Sequence, residues 1–474
     1  MKRIFVAALL AGTAISSAQA ADLAARPYTK APPYVSPIYD WTGFYFGVNA
    51  GGGVDRDRTG HGITGLSNNS IYLQPRGIIG GGQVGYNWQT NSSFLGLGPM
   101  VFGLEADFQG SDMRDNRTTL FSGVTTNYSQ RLDYFGTVRG RVGLATGPVM
   151  SYFTGGYAYG NIKTDINQTL VGAGTATTSF DNGRSGYVVG SGVEAALGGN
   201  WTGKIEYLYL NLGNRGGTFT TFGIPQAVNT EIRENIFRAG LNYRIGGNSA
   251  YAALPAANWT GFYLGGNVGS GLGRNTSSLN VGGIGGVTDT FNLAPDGFVG
   301  GGQIGYNWQA GNFVYGLEAD YQASSQRDNK TCVLTCSPLL GAAYDARIGS
   351  FGTARGRIGY SVGSTLFYAT GGYAYGTTRT DVTTNTVGLL ATTRVRSNRD
   401  GYAVGGGIET PFTFLGLFGP QWTSKTEYLY VNLGRSTDTF LANGVTFTNS
   451  TKVNEHVFRT GINYHFNSPI VAKY

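Results

Sequence analysis

A chain of 474 residues with 78 glycines, 30 tyrosines and 26 phenylalanines, of which only 13% are charged, is composed for sheet rather than helix. The formal net charge of +7 would suit a nucleic-acid partner, but the Lys and Arg residues form no compact run, which argues against that class. Beyond the N-terminal segment no apolar run is long enough for a spanning helix, which argues against a helical membrane protein.

The chain begins MKRIFVAALLAGTAISSAQA. Lys2 and Arg3 precede an apolar stretch, and Ala18, Gln19 and Ala20 supply the small residues of a signal-peptidase site. Residues 1–20 are expected to be a cleaved signal peptide, the stretch being too short for an anchoring helix. Residues 21–40 are Pro-rich and lack alternation, and are expected to form a flexible periplasmic tail.

From Trp41 onward the phrases come in pairs. WTGFYFGVNAG at Trp41 returns as WTGFYLGGNVG at Trp259, and GGGQVGYNWQ at Gly80 as GGGQIGYNWQ at Gly300. FGLEADFQ at Phe102 answers YGLEADYQ at Tyr315, FGTVRGRVG at Phe135 answers FGTARGRIG at Phe351, and TGGYAYG stands at Thr154 and Thr370. GYVVGSGVE at Gly186, EYLYLNLG at Glu206 and FRAGLNYR at Phe237 have their counterparts at Gly401, Glu427 and Phe458. The mature chain is a tandem duplication of about 200 residues per copy, far above the period of a solenoid.

Each phrase sorts by parity into two faces, as a strand requires. Phe44, Phe46, Val48 and Ala50 oppose Tyr45, Gly47 and Asn49; Val84, Tyr86 and Trp88 oppose Gln83, Asn87 and Gln89. Phe102, Leu104, Ala106 and Phe108 oppose Glu105, Asp107 and Gln109, and Val138 and Val142 oppose Thr137, Arg139 and Arg141. Ile205, Tyr207 and Tyr209 oppose Lys204 and Glu206, and Phe237, Leu241 and Tyr243 oppose Arg238, Asn242 and Arg244. With two more Gly-rich strands, near Tyr152 and Tyr187, each copy has eight strands long enough to cross a bilayer when tilted.

A soluble ligand-binding barrel would turn the apolar face inward. Two features favour the inverse. Acidic and basic residues share one face, where they can neutralise one another in a lumen, and the apolar face carries aromatic rings near strand ends, as membrane interfaces favour. Connections alternate in length: 54–76, 113–131, 163–184 and 214–234 are long, polar and read as outer loops, whereas 146–148 and 198–200 are short turns.

As an ordered set, these motifs resemble the alphaproteobacterial small outer-membrane proteins, the opacity-like, porin-named eight-stranded barrels that include hemin-binding members. The resemblance covers nearly the whole mature chain, once per copy. It implies an all-β, up-and-down transmembrane barrel in the outer membrane of a Gram-negative envelope, and a closing strand ending in an aromatic that the insertion machinery reads. Tyr464 and Phe466 fit that signal, while the first copy stops at Tyr243 and Ile245 without the final aromatic.

The duplication leaves two architectures open: two tandem eight-stranded barrels, or one sixteen-stranded barrel with an aqueous channel. Copy one places Glu105, Asp107, Glu194 and Glu206 inward with Arg139, Arg141, Lys204, Arg238 and Arg244; copy two places Glu318, Asp320, Glu409 and Glu427 with Arg355, Arg357, Lys425 and Arg459. Each copy nearly balances its own inward charge, which favours two packed lumens. The expected plan is a first barrel at 41–245, a linker at 246–258 containing Pro255, a second barrel at 259–466 and a C-terminal extension at 467–474.

No catalytic constellation, cofactor motif or metal site is legible, and an enzyme is not expected. The carboxylates of GLEAD face Arg139 and Arg141 on the next strand and read as a salt-bridge network. Cys332 and Cys336 share one polar segment of an exported chain and read as a local loop disulfide. Of the three histidines, His465 faces inward on the closing strand; a haem receptor would have to use His61, His456 or loop tyrosines. Three functions remain: a non-enzymatic structural and surface protein in contact with lipid and lipopolysaccharide, a diffusion porin if the sixteen strands join, or a receptor or adhesin for haem or a host surface.

Overall fold

Alternation of large apolar residues with Gly, Asn and charged residues suits a sheet with two unlike faces, and the described residues fold into strands with no helix. The computed structural model describes residues 39–467 apart from 64–66, 94–97, 122–123, 247–256, 283–287, 334–339, 387 and 413–417. The expected signal peptide, nearly all of the Pro-rich segment, most of the expected linker and the C-terminal residues 468–474 lie outside the described residues.

The first copy contains β1 (Gly43–Asp55), β2 (Asp57–Ile63), β3 (Ser67–Leu73), β4 (Arg76–Ser93), β5 (Pro99–Ser111) and β6 (Arg114–Phe121). It continues with β7 (Val124–Thr146), β8 (Val149–Leu170), β9 (Gly174–Gly198), β10 (Trp201–Thr221) and β11 (Ile224–Ile245). The second contains β12 (Gly261–Gly273), β13 (Asn275–Val281), β14 (Thr288–Leu293), β15 (Asp296–Ala310), β16 (Phe313–Ser324) and β17 (Arg327–Val333). Then follow β18 (Leu340–Val362), β19 (Thr365–Thr386), β20 (Leu389–Pro411), β21 (Trp422–Ala442) and β22 (Val445–His465).

Each copy makes its own 11-stranded sheet, and each sheet closes on itself. In the first, β1 pairs with β11 from Phe44 opposite Ile245 to Asp55 opposite Glu234, sealing the ring β1-β4-β5-β7-β8-β9-β10-β11. In the second, β12 pairs with β22 in the same way. Closure leaves the eight-stranded ring itself no unpaired edge, the condition for sheet in hydrocarbon. The protein is therefore two tandem eight-stranded barrels, and the single sixteen-stranded barrel is excluded.

The outward face is an apolar belt. Phe44 and Val48 are each 63% exposed and Phe153 is 72% exposed, and Phe262 and Val268 repeat the pattern. Exposed Arg76, beside Val54, and the outward pair Arg131 and Asp133 mark where the belt of the first barrel ends. At the opposite rim the turn between β7 and β8 needs only Gly147 and Pro148, with Gly147 at φ 61°. The barrels touch through their outward faces, with the rings of Phe237 and Tyr428 4.8 Å apart and those of Tyr207 and Phe458 5.6 Å apart.

One expectation needs correction. The long polar connections 54–76, 113–131, 163–184 and 214–234 are mostly strand, not irregular loop. β2 and β3 form a hairpin, β6 pairs with β7, and the main strands run on beyond the belt. Their Thr-rich sequence is both solvent-compatible and β-favouring, so pairing continues after the membrane ends. The hairpin of β10 and β11 turns through Phe222 and Gly223, and that of β21 and β22 through Asn443 and Gly444, all with positive φ as a two-residue hairpin requires.

If each barrel closes alone, a disulfide can bridge β1 and β11. Phe46 and Tyr243 are register partners on the outward face. With Cys332 and Cys336 changed to Ser, the double variant F46C/Y243C is expected to form an intramolecular disulfide on oxidative refolding. Proteolysis and mass spectrometry should then link the two peptides, and their absence would contradict closure within one copy.

Candidate functional site

Every second residue of an eight-stranded ring points into an interior that side chains just fill. In the first barrel those positions bring β5, β7, β9, β10 and β11 to one layer of charge. Arg139 pairs with Glu105, with Asp107 at 3.0 Å and with Glu206 at 2.9 Å. Arg238 approaches Glu206 at 2.6 Å and Asp107 at 3.0 Å, while Lys204 Nζ lies 2.9 Å from Glu105. Arg141 joins Glu194 at 3.0 Å.

The second barrel repeats the layer. Arg355 pairs with Glu318 at 2.5 Å, Asp320 at 2.9 Å and Glu427 at 3.1 Å. Arg459 contacts Glu427 at 2.6 Å and Asp320 at 2.9 Å, Lys425 contacts Glu318 at 2.7 Å, and Arg357 contacts Glu409 at 3.0 Å. The seventeen charged residues assigned inward from the sequence are all buried, and all but Arg244 form ion pairs in these two layers.

Neutral donors complete them. Tyr45 donates its hydroxyl proton to Glu105 and Tyr152 to Glu206, at 2.8 and 3.0 Å. Thr202 and Asn242 donate to Glu194 at 2.5 and 2.8 Å. Tyr263, Tyr368, Thr423 and Asn463 play the same parts in the second barrel. Gly85 makes room for Tyr45, since a Cβ there would fall 2.2 Å from the Tyr45 hydroxyl oxygen. These donors were not singled out from the sequence, although Tyr45 shares the inward parity of Gly47 and Asn49.

The charge layer lies between apolar layers. Toward the short-turn rim, Trp41, Val101, Ala145 and Met150 pack together, as do Trp259, Val314 and Leu366 in the second barrel. On the other side Leu132, Phe135, Leu208, Leu210, Ile232 and Ile236 belong to one buried cluster. Phe351, Leu429, Val431 and Val457 form its counterpart. The signal was present in EYLYLNLG, where Leu208, Leu210 and Leu212 share the parity of Glu206.

Other selected residues lie apart from the layer. Arg244 does not join it: its guanidinium donates to the carbonyls of Asp40 and Thr42 and lies 4.9 Å from the Tyr39 ring. His465, at the matching rim of the second barrel, approaches Glu409 at 3.0 Å. His61, in β2, is buried between Tyr128 and the Gln226 amide oxygen, and burial lowers its pKa. His456 contacts the Tyr428 hydroxyl at 2.7 Å. Tyr464 faces outward against Trp422, with ring centroids 5.3 Å apart, and Phe466 is exposed beyond it. The side chains of Cys332 and Cys336 lie outside the described residues.

The model of the outer membrane protein beta-barrel domain matches residues 5–244 and again 245–466. The chain belongs to the outer-membrane β-barrel family. A 31 kDa outer-membrane immunogenic protein of Brucella melitensis is 32% identical over 252 residues, covering all of that relative and 52% of this chain. A 22 kDa outer membrane protein of Rhizobium leguminosarum is 34% identical over 185 residues, covering 67% of it and 37% of this chain. Both relatives are alphaproteobacterial, as the motifs implied, and this outer-membrane barrel protein contains the family unit twice.

Among solved structures, a Pseudomonas aeruginosa FadL homologue aligns at 11% identity and TM-score 0.26 over 90% of this chain and 91% of its own. Neisserial surface protein A aligns at 12% identity and TM-score 0.20 over 44% and 98%. Neither likeness carries an argument about the barrel pair or its use.

Replacing Arg139 with Met leaves three carboxylates buried with one fewer cation. Breaking a buried pair in this way costs about 3–5 kcal/mol. The expected result is a matching fall in unfolding free energy by urea titration of the refolded protein, and a similar fall for Arg355→Met in the second barrel.

Proposed function

We propose that the chain is a non-enzymatic structural and surface component of the outer membrane, anchored by two closed barrels and presenting its strand extensions to the exterior. The observation that carries this reading is the filled lumen. Salt bridges are layered between apolar side chains, an interior that suits anchoring better than permeation. The porin alternative rested on one sixteen-stranded ring, a premise that two separately closed sheets remove.

The belt residues would contact lipid acyl chains, and the outer rim would meet lipopolysaccharide. Tyr464 and Phe466, on the last strand, would supply the aromatic signal for the insertion machinery. Relatives are named as immunogenic, and for this chain we read the extended hairpins beyond the belt as the surface available to host or neighbouring-cell ligands. Their outward ladders carry charge, as in Arg379 and Arg394 flanking Asp381 at 2.7 and 2.9 Å. The haem alternative is less supported, because His61 is buried with both ring nitrogens engaged.

Single-channel recording in planar bilayers tests the proposal. The refolded mature chain and a fragment spanning 21–247 are both expected to be silent. Large, stable conductance steps from the full chain would contradict a closed lumen and restore the porin reading.

A further inference from the structure

Above the belt of the first barrel, the chain corner at Arg56 brings two carboxylates inward. Asp55 ends β1, Asp57 begins β2, and Asp55 is the register partner of Glu234 on β11. One oxygen from each of the three lies within 4.8 Å of the others, and all three side chains are buried. Like charges directly opposite on paired strands repel, and burial strengthens the repulsion.

Among the described residues no Lys or Arg forms an ion pair with any of the three. Arg56, the obvious candidate by sequence, turns away to Asp328 of the second barrel at 2.5 Å and to the Tyr72 ring at 4.6 Å. A separate observation comes from β7. Gln130 is buried, its amide nitrogen donates to Asp57, and its amide oxygen has no protein partner. Asp55 Oδ2 and Glu234 Oε2 also lack partners.

The second barrel shows that the fold does not require this arrangement. Gly273 ends β12 and Asn275 begins β13, at the places of Asp55 and Asp57, and Gly273 is the register partner of Glu455. That single carboxylate receives an amide proton from Gln326. The corner thus closes with one acid as well as with three.

We propose that Asp55, Asp57 and Glu234 hold one divalent cation of the hard, oxygen-preferring class, Ca²⁺ foremost, with the Gln130 amide turning over so that its oxygen replaces its nitrogen on the side of Asp57. Ca²⁺ takes carboxylate and amide oxygens at about 2.3–2.6 Å, so oxygens on opposite sides of one ion stand up to about 5 Å apart, which the cluster's spacing accommodates. Mg²⁺ demands shorter bonds and a stricter octahedron, and fits less well. Burial, followed by the neighbouring carboxylates, pushes all three carboxyls well above their ordinary range, and a bound cation would relieve both causes.

The test is calorimetric titration of CaCl₂ into the refolded, EDTA-treated mature chain in detergent micelles. One Ca²⁺ per chain is expected, with proton release as the carboxyls ionise. The variant D55G/D57N, which carries the second barrel's residues, and the single variant E234Q are both expected to lose that binding. Heat-modifiable migration on gels identifies the folded variants. No uptake by folded wild-type protein at millimolar Ca²⁺, or full binding retained by a folded variant, overturns the proposal. So does a protonated-carboxyl infrared band in the wild type that saturating Ca²⁺ leaves unchanged, because the triad would then be sharing protons instead of holding an ion.

Discussion

The fold depends on the pairing of buried charge. Arg139 on β7 meets Glu105 and Asp107 from β5 and Glu206 from β10, with Arg238 from β11 completing the set. An ion removed from water costs several kcal/mol unless it is paired and hydrogen-bonded. These strands are brought around one axis only when the ring closes, so closure and charge pairing are one event. The same logic explains the Tyr and Thr hydroxyls around the carboxylates: each satisfies an oxygen that an ion pair alone would leave bare.

Charge in the middle of a lumen also dictates what surrounds it. Apolar layers lie on either side of the ion pairs, and charges shielded from water attract one another more strongly. The belt outside and the layers inside thus use the same residue types for opposite partners, lipid in one case and the lumen core in the other. Where the belt stops, the barrel wall continues as hairpins whose Thr-rich sequences pair equally well in water.

Much of this was legible because strand parity is unforgiving: a one-residue slip would send Glu105 and Arg139 to the lipid. The repeated phrases put seventeen charged residues on one parity, and the structure buries all of them. The inner apolar layers were harder to read, because Leu208 and Leu210 sit among residues that suit lipid, and only their parity with Glu206 distinguishes them. The outer hairpins were read as loops because Thr, Asn and Gly serve both structures, and local composition does not reveal a pairing partner. Arg244 had the right parity but lies at the rim, where Tyr39 and two carbonyls compete for it. Comparing the copies, the charge layer is the same and the rims differ, as in Arg244 against His465 and Met113 against Gln326. An interior charge has several partners that fix it, whereas a rim residue can find another.

The most direct test of the account is proton exchange at the buried guanidiniums. Nitrogen-resolved NMR of the refolded protein in micelles can follow the side-chain Nε protons of Arg139, Arg238, Arg355 and Arg459 after transfer to D₂O. If the charge layers are sealed between apolar plugs, these protons persist long after those of exposed Arg394 have gone. Exchange as fast as at Arg394 would mean that water reaches the layer, and the closed-lumen account would fail.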